Sequence, residues 1–204
     1  MSTHADSLAI PAEVVTKADF YSHITHTLQH LLSPGKCDWV TALSNASALM
    51  YGSFENKKEW GKRDGKRVNW SGFYMHPDLF PSSTTPFDRE VPPASLLLGP
   101  FQGRPACLSV TLQSNRALGV CASSFVAKAT VLVPDVDKMP GHIACDGVTR
   151  SEIVVPILVK VGEVEIAIGV LDVDCERLGG FDEEDRVGLE LFVKALVELV
   201  DWKL

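Results

Sequence analysis

No apolar run in the 204-residue sequence reaches the ~18 residues of a membrane span. It has no GxxxxGK[ST] loop, no GxGxxG and no HExxH, so the common sequence marks of nucleotide binding and zinc hydrolysis are missing. It is short of positive charge: 19 Lys+Arg stand against 26 Asp+Glu, net −7. A general nucleic-acid binder would show a basic face. Cysteines are few, five in all. Their odd number and the lack of any CxxC pair do not make a disulfide framework. The opening MSTHADSLAIP carries an acid and no long apolar segment, so no secretory signal is read there. Together these absences point to a cytoplasmic chain with neither a membrane nor a nucleic-acid partner.

What remains is ordinary globular composition, 46% hydrophobic and 22% charged, long enough for one sizeable core. The expected organisation is a flexible N-terminus over residues 1–12 and a single catalytic domain over 13–204. Apolar Val14, Val15, Ala18, Tyr21, Ile24, Leu28, Leu31 and Leu32 predict a helix stopped at Pro34-Gly35. Asp38 is placed to cap a second helix, with Leu43, Ala46, Leu49 and Met50 on its stripe. Residues 55–67 hold six Lys/Arg and three Asp/Glu and read as a solvated connector.

The period then changes. Residues 68–74 read as a strand and residues 77–93 as a long surface loop. Residues 95–99 and 106–112 read as two strands joined at Gln102-Gly103. Residues 120–130 have helical spacing, 131–133 form a short strand, and 140–147 form a loop. Residues 152–159 and 165–174 give the strongest strand signals and, with Gly162 between them, a hairpin. Asp182 caps a last helix with Leu189, Phe192, Leu196 and Leu199 on one face. Hairpin-linked strands with amphipathic helices over them predict an α+β fold, a central antiparallel sheet flanked by helices.

Two groups of residues carry possible chemistry. Cys107, Cys121 and Cys145 are either small buried hydrophobes or reactive thiols. Cys121 begins a helix, where unpaired N–H groups favour a thiolate. Cys145 sits in a loop three residues after His142. The second group is Glu152, Asp172 and Asp174. Asp172 and Asp174 share a face at i, i+2, and a hairpin brings Glu152 to the same end. Three such carboxylates repel unless a cation meets them. A metal ion, Arg150 or a ligand amine would serve, and the plain alternative is a solvated strand end. A Cys₃His zinc set from Cys107, Cys121, Cys145 and His142 has spacings that fit no tight zinc knuckle. Trp70 and Tyr74 either line a pocket or fill the core. Cys37 and Cys175 read as structural.

The segments Leu98-Gly-Pro-Phe-Gln-Gly103-Arg-Pro-Ala-Cys107, Gly119-Val-Cys121, Pro140-Gly-His-Ile-Ala-Cys145-Asp, Arg150-Ser-Glu152, Gly169-Val-Leu-Asp172-Val-Asp174 and Asn69-Trp70-Ser-Gly-Phe-Tyr74 resemble the free methionine-(R)-sulfoxide reductases, stand-alone GAF-domain enzymes. The resemblance covers about residues 15 to 202. It implies a GAF-like α+β fold and reduction of free L-methionine (R)-S-oxide to L-methionine. It implies Cys145 as nucleophile, Cys107 as resolving thiol with Cys121 as the alternative, and thioredoxin as the reductant of the resulting disulfide. It implies that Glu152, Asp172 and Asp174 bind substrate, with Trp70 near the methyl group. No metal or organic cofactor is expected. Residues 111–118 (TLQSNRAL) and 160–165 (KVGEVE) are longer than the family pattern.

Crowding should also raise one carboxyl pKa, and the expected proton carrier is Glu152 or Asp174, with Asp172 on the substrate ammonium. The alternative reading is a non-catalytic GAF-type sensor of a small ligand or of redox state. The amphipathic N-terminal helix also offers a face for homodimerisation.

Overall fold

The computed structural model describes residues 8–32, 37–63, 65–80, 94–112, 118–141, 147–202 and 204. The expectations for residues 1–7, the Pro34-Gly35 stop, residues 81–93 and the loop holding His142 and Cys145 lie outside them.

Helix α1 (Lys17–Leu31) opens with a capping box: Thr16 accepts from the Asp19 N–H and Asp19 accepts from the Thr16 N–H. Two donors at the helix start are thereby satisfied. Its buried residues Phe20, Tyr21, Ile24 and Leu28 follow the helical period. Helix α2 (Trp39–Asn56) starts where Asp38 accepts from the Val40 N–H at 2.9 Å. Residues 55–67 are not a solvated connector. Helix α2 runs to Asn56, a short α3 (Lys58–Gly61) follows, and β1 (Lys62–Arg63) turns back on β2 (Lys66–Met75). Trp60 holds this stretch to the core, its ring 5.6 Å from that of Phe20. Near the start of the chain, Leu8 and Ile10 are also packed against that core.

Strand β3 (Ser95–Gly103) continues through Gln102-Gly103, where a break between two strands was expected. Gly103, at φ +126°, pairs with Trp70 at the end of the ladder. That φ suits glycine alone, so the residue read as a turn serves as a strand terminus. Strand β4 (Ser109–Thr111), helix α4 (Val120–Ala127), strand β5 (Val131–Val133), the β6 (Ser151–Val161) and β7 (Val164–Cys175) hairpin and helix α5 (Glu183–Leu199) complete the order. Gly162, at φ +62°, sits in the hairpin turn.

The sheet order is β4-β3-β2-β7-β6-β5, with β1 beside β2. Every pair of neighbours is antiparallel. This is the expected α+β architecture. One face carries Phe73, Met75, Ile153, Val155, Leu171 and Val173 and forms the main core with α1, α2 and α5. Lys17 of α1 reaches Asp182 at 2.7 Å and Asp185 at 2.5 Å, and the Tyr21 hydroxyl donates to Asp185 at 2.9 Å. The other face carries Trp70, Tyr74, Val154 and Val170 and packs against Val120, Cys121, Ala122 and Phe125 of α4. Strand alternation places Glu152, Asp172 and Asp174 on this second face.

Candidate active site

Sheet register assembles the site. Glu152 lies opposite Asp174, and Asp174 lies opposite Trp70 on its other side. Val133 flanks Glu152 and Gly103 flanks Trp70, so one row of residues crosses five strands. In the next row Asp172 stands between Val154 and Gly72. A Cβ on Gly72 would lie 2.3 Å from the Phe101 Cβ and 2.5 Å from the Trp70 ring. Glycine there leaves room for Trp70 to stack on Phe101 at 5.5 Å and on Tyr74 at 6.0 Å between ring centroids. Such stacking orders the wall beyond the area it buries.

Helix α4 brings Cys121 down onto the acids. Its Sγ is 3.3 Å from Asp172 Oδ2 and 3.8 Å from Glu152 Oε1. All three residues are buried. Together with Cys107, Asp174, Tyr74 and Thr149 they line a cavity of about 120 Å³, suited to an amino-acid-sized ligand. A smaller cavity beside it joins Trp70 and Arg104 to Asp172 and Asp174. Cys107 is half-buried on a loop that two aromatic side chains tie to the sheet. The Tyr74 hydroxyl donates to the Cys107 carbonyl at 3.0 Å, and Trp70 Nε1 donates to the Arg104 carbonyl at 3.1 Å. Asn69 Nδ2 donates to Thr149 Oγ1 at 2.9 Å at the pocket edge. Thr149 and this tether were not legible in the sequence, because nothing in their spacing marks them.

The electrostatics follow from burial. Asp172 is held well above the usual carboxylate range, first by burial and then by the charge of Glu152, while the Cys121 S–H it accepts pulls the other way. Burial thus pushes the Asp172 carboxyl toward its protonated form. Its Oδ1 is buried with no hydrogen-bond partner among the described residues.

The Cys121 thiol is also pushed well up, by burial and then by Asp172, Glu152 and Asp174. The helix-start expectation of a thiolate is therefore overturned. The backbone N–H groups are where the sequence placed them, but burial and then three carboxylates from distant strands outweigh them. Arg150 is not the cation that meets the trio, since its guanidinium pairs with Asp137 at 3.0 Å. Cys175 is buried at the end of β7, and Cys37 forms a β-bridge with Val200.

The structure thus brings Cys107, Cys121, Glu152, Asp172 and Asp174 to one pocket with Trp70 beside it, while Cys145 lies outside the described residues. No family model matches the chain. The free methionine-R-sulfoxide reductase of Saccharomyces cerevisiae is 40% identical over 165 residues, 81% of this chain and 77% of that protein. A solved structure of a GAF domain superposes with a TM-score of 0.77 at 33% identity, covering 99% of this chain and 100% of the other. The X-ray structure of the free methionine-R-sulfoxide reductase from Neisseria meningitidis in complex with its substrate superposes with a TM-score of 0.70 at 32% identity, covering 93% of each chain. With a GAF fold across nearly its whole length and this level of identity, the chain belongs to the free methionine-R-sulfoxide reductase family.

Proposed function

We propose that this protein reduces free L-methionine (R)-S-oxide to L-methionine with its own thiols. The observation that carries the reading is the convergence of Glu152, Asp172 and Asp174 with two cysteines on one pocket. A free α-ammonium supplies the charge and donors such a pocket favours. A peptide nitrogen is neutral, so peptide-bound methionine sulfoxide is a poor fit. The epimer preference rests on the relatives alone.

Cys145 acts as the nucleophile. Its sulfur attacks the sulfoxide sulfur, the oxygen takes up a proton and ends on Cys145 as a sulfenic acid, and methionine leaves. Asp172 supplies the proton, and Glu152 and Asp174 hold the ammonium. This division follows the burial of Asp172 and its raised pKa. Cys107 then condenses with the sulfenic acid, releasing water and forming a disulfide. A low-potential dithiol, thioredoxin, returns both sulfurs to thiols. The half-buried Cys107 suits the resolving role better than Cys121, whose thiolate the surrounding carboxylates disfavour. Thr149, Tyr74 and Trp70 complete the wall on the thioether side. We assign the work to the cytoplasm and residues 13–204 to one catalytic domain. We assign homodimerisation to the α1–α5 face, where Val187 and Leu191 are exposed beside a groove.

The decisive assay measures methionine formed from each epimer of free methionine sulfoxide with thioredoxin, beside an acetylated, amidated substrate. Turnover of the free R epimer alone supports the reading. Equal rates on the blocked substrate refute it. Cys145→Ser should give no methionine even in a single turnover.

A further inference from the structure

We propose that Cys121, Glu152 and Asp172 form a binding site for a borderline-soft divalent cation, Zn²⁺, which seals the reduced pocket reversibly against substrate. One ligand atom from each residue lies within 4.8 Å of the other two, and all three residues are buried. The set is neither an acidic cluster nor an isolated thiol. A sulfur and two carboxylates at this spacing match the donor types Zn²⁺ takes. The independent sign of a missing cation is Asp172: the residue is 6% exposed, and its buried Oδ1 accepts from nothing among the described residues.

The surroundings of Cys121 are not those of an activated thiol. A thiol meant to react is served by nearby positive charge, which favours the thiolate. Cys121 faces Asp172 at 3.3 Å and Glu152 at 3.8 Å instead. That neighbourhood suppresses thiolate chemistry in the absence of a cation. It favours a metal, which displaces the thiol proton and neutralises the acids together. An α-ammonium uses only the carboxylates, whereas Zn²⁺ uses all three groups. On binding, the Cys121 proton and any proton held by the carboxyl pair pass to solvent, with no change of oxidation state. A water from the pocket completes the usual four positions. The metal is an occupant that excludes substrate, and no step of the reduction uses it.

The inference concerns the pocket used under the proposed function, but its test reads no turnover, so the two fail separately. Reduced, metal-free protein is titrated with Zn²⁺ against a chromophoric chelator, and with Co²⁺ while the thiolate-to-cobalt absorption band is followed. One equivalent should bind, with the cobalt band present, and methionine sulfoxide should displace it. Cys121→Ser should abolish the band. Asp172→Asn should weaken binding by more than the ~10–100-fold that loss of an outer-shell partner costs. The double variant Cys107→Ser, Cys145→Ser should keep both band and stoichiometry. A band that survives Cys121→Ser, or one that disappears in the double variant, places the metal on other thiols and overturns the proposal, as does the absence of binding to the wild-type protein.

Discussion

Replacing Asp172 by Asn should make the protein less active and more stable at once. Two fully charged groups 4.8 Å apart, the limit set for the Asp172 and Glu152 ligand atoms, repel by about 3.5 kcal/mol at an effective dielectric constant of ~20. The folded protein avoids most of that by keeping a proton on Asp172, whose carboxyl is pushed up first by burial and then by the charge of Glu152. A folded-state pKa above the unfolded one means the native state binds the extra proton. Stability therefore falls as pH rises from the unfolded carboxyl value, about 3.9, through the raised folded value. Asn carries no charge and its amide can donate to Glu152, so the variant escapes this loss. Relief of a poorly satisfied buried group is worth about 1–3 kcal/mol. At about 2–4 °C per kcal/mol for a chain of this size, Tm should rise by roughly 2–12 °C, most on the alkaline side. Asn has no proton to give the sulfoxide oxygen, so kcat should fall about 100- to 10,000-fold with a smaller change in KM. Calorimetry across a pH series and steady-state kinetics on free methionine sulfoxide measure both. A Tm lowered at every pH, or a kcat near wild type, would refute the assignment of the proton to Asp172.

Tyr74→Phe removes the hydroxyl that holds the Cys107 carbonyl at 3.0 Å. It should leave the first methionine burst intact while slowing thioredoxin-dependent cycling about fivefold, matching the ~1 kcal/mol of one hydrogen bond, as stopped-flow and steady-state rates would show. Gly72→Ala places a Cβ 2.3 Å from Phe101 and 2.5 Å from Trp70. The aromatic stack must shift, and KM should rise with a stability loss of about 1–3 kcal/mol, read by kinetics and urea unfolding. Lys17→Met strips the cation from Asp185, a carboxylate only 1% exposed, and should cost about 3 kcal/mol in urea unfolding. It lies on the opposite sheet face, so kcat/KM at 25 °C should be unchanged.

Much of the frame was legible because it rests on short-range rules. Asp38 and Asp182 cap the helices they precede, and the β6–β7 hairpin turns at Gly162. The hairpin register in turn made the convergence of Glu152 with Asp172 and Asp174 readable. The misreadings came where a distant partner decides. Gly103 looked like a turn until Trp70 of β2 paired with it. The charges of residues 55–67 hid a structured segment whose only apolar mark was Trp60. Cys121 has a local environment that favours a thiolate and a tertiary one that opposes it, through residues 31 and 51 positions away. No sequence window contains both. Thr149 and Asn69 carry no periodic signal, so only packing shows their contact.

The same alternation that gathers the acids also guards the pairing of the sheet. Strand β7 is one of the two middle strands of the ladder, held by β2 on one side and β6 on the other. A slip of one residue turns every side chain of a strand to the opposite face. For β7 that would drive Asp172 and Asp174 into the helix-covered core among Phe73, Ile153 and Leu189, where an unpaired carboxylate is far costlier than in the pocket. It would also expel Leu171 and Val173 from that core. Wrong registers are thus penalised by the very carboxylates that line the pocket. Variants that remove both charges should refold with more misaligned species even when their native state is the more stable one.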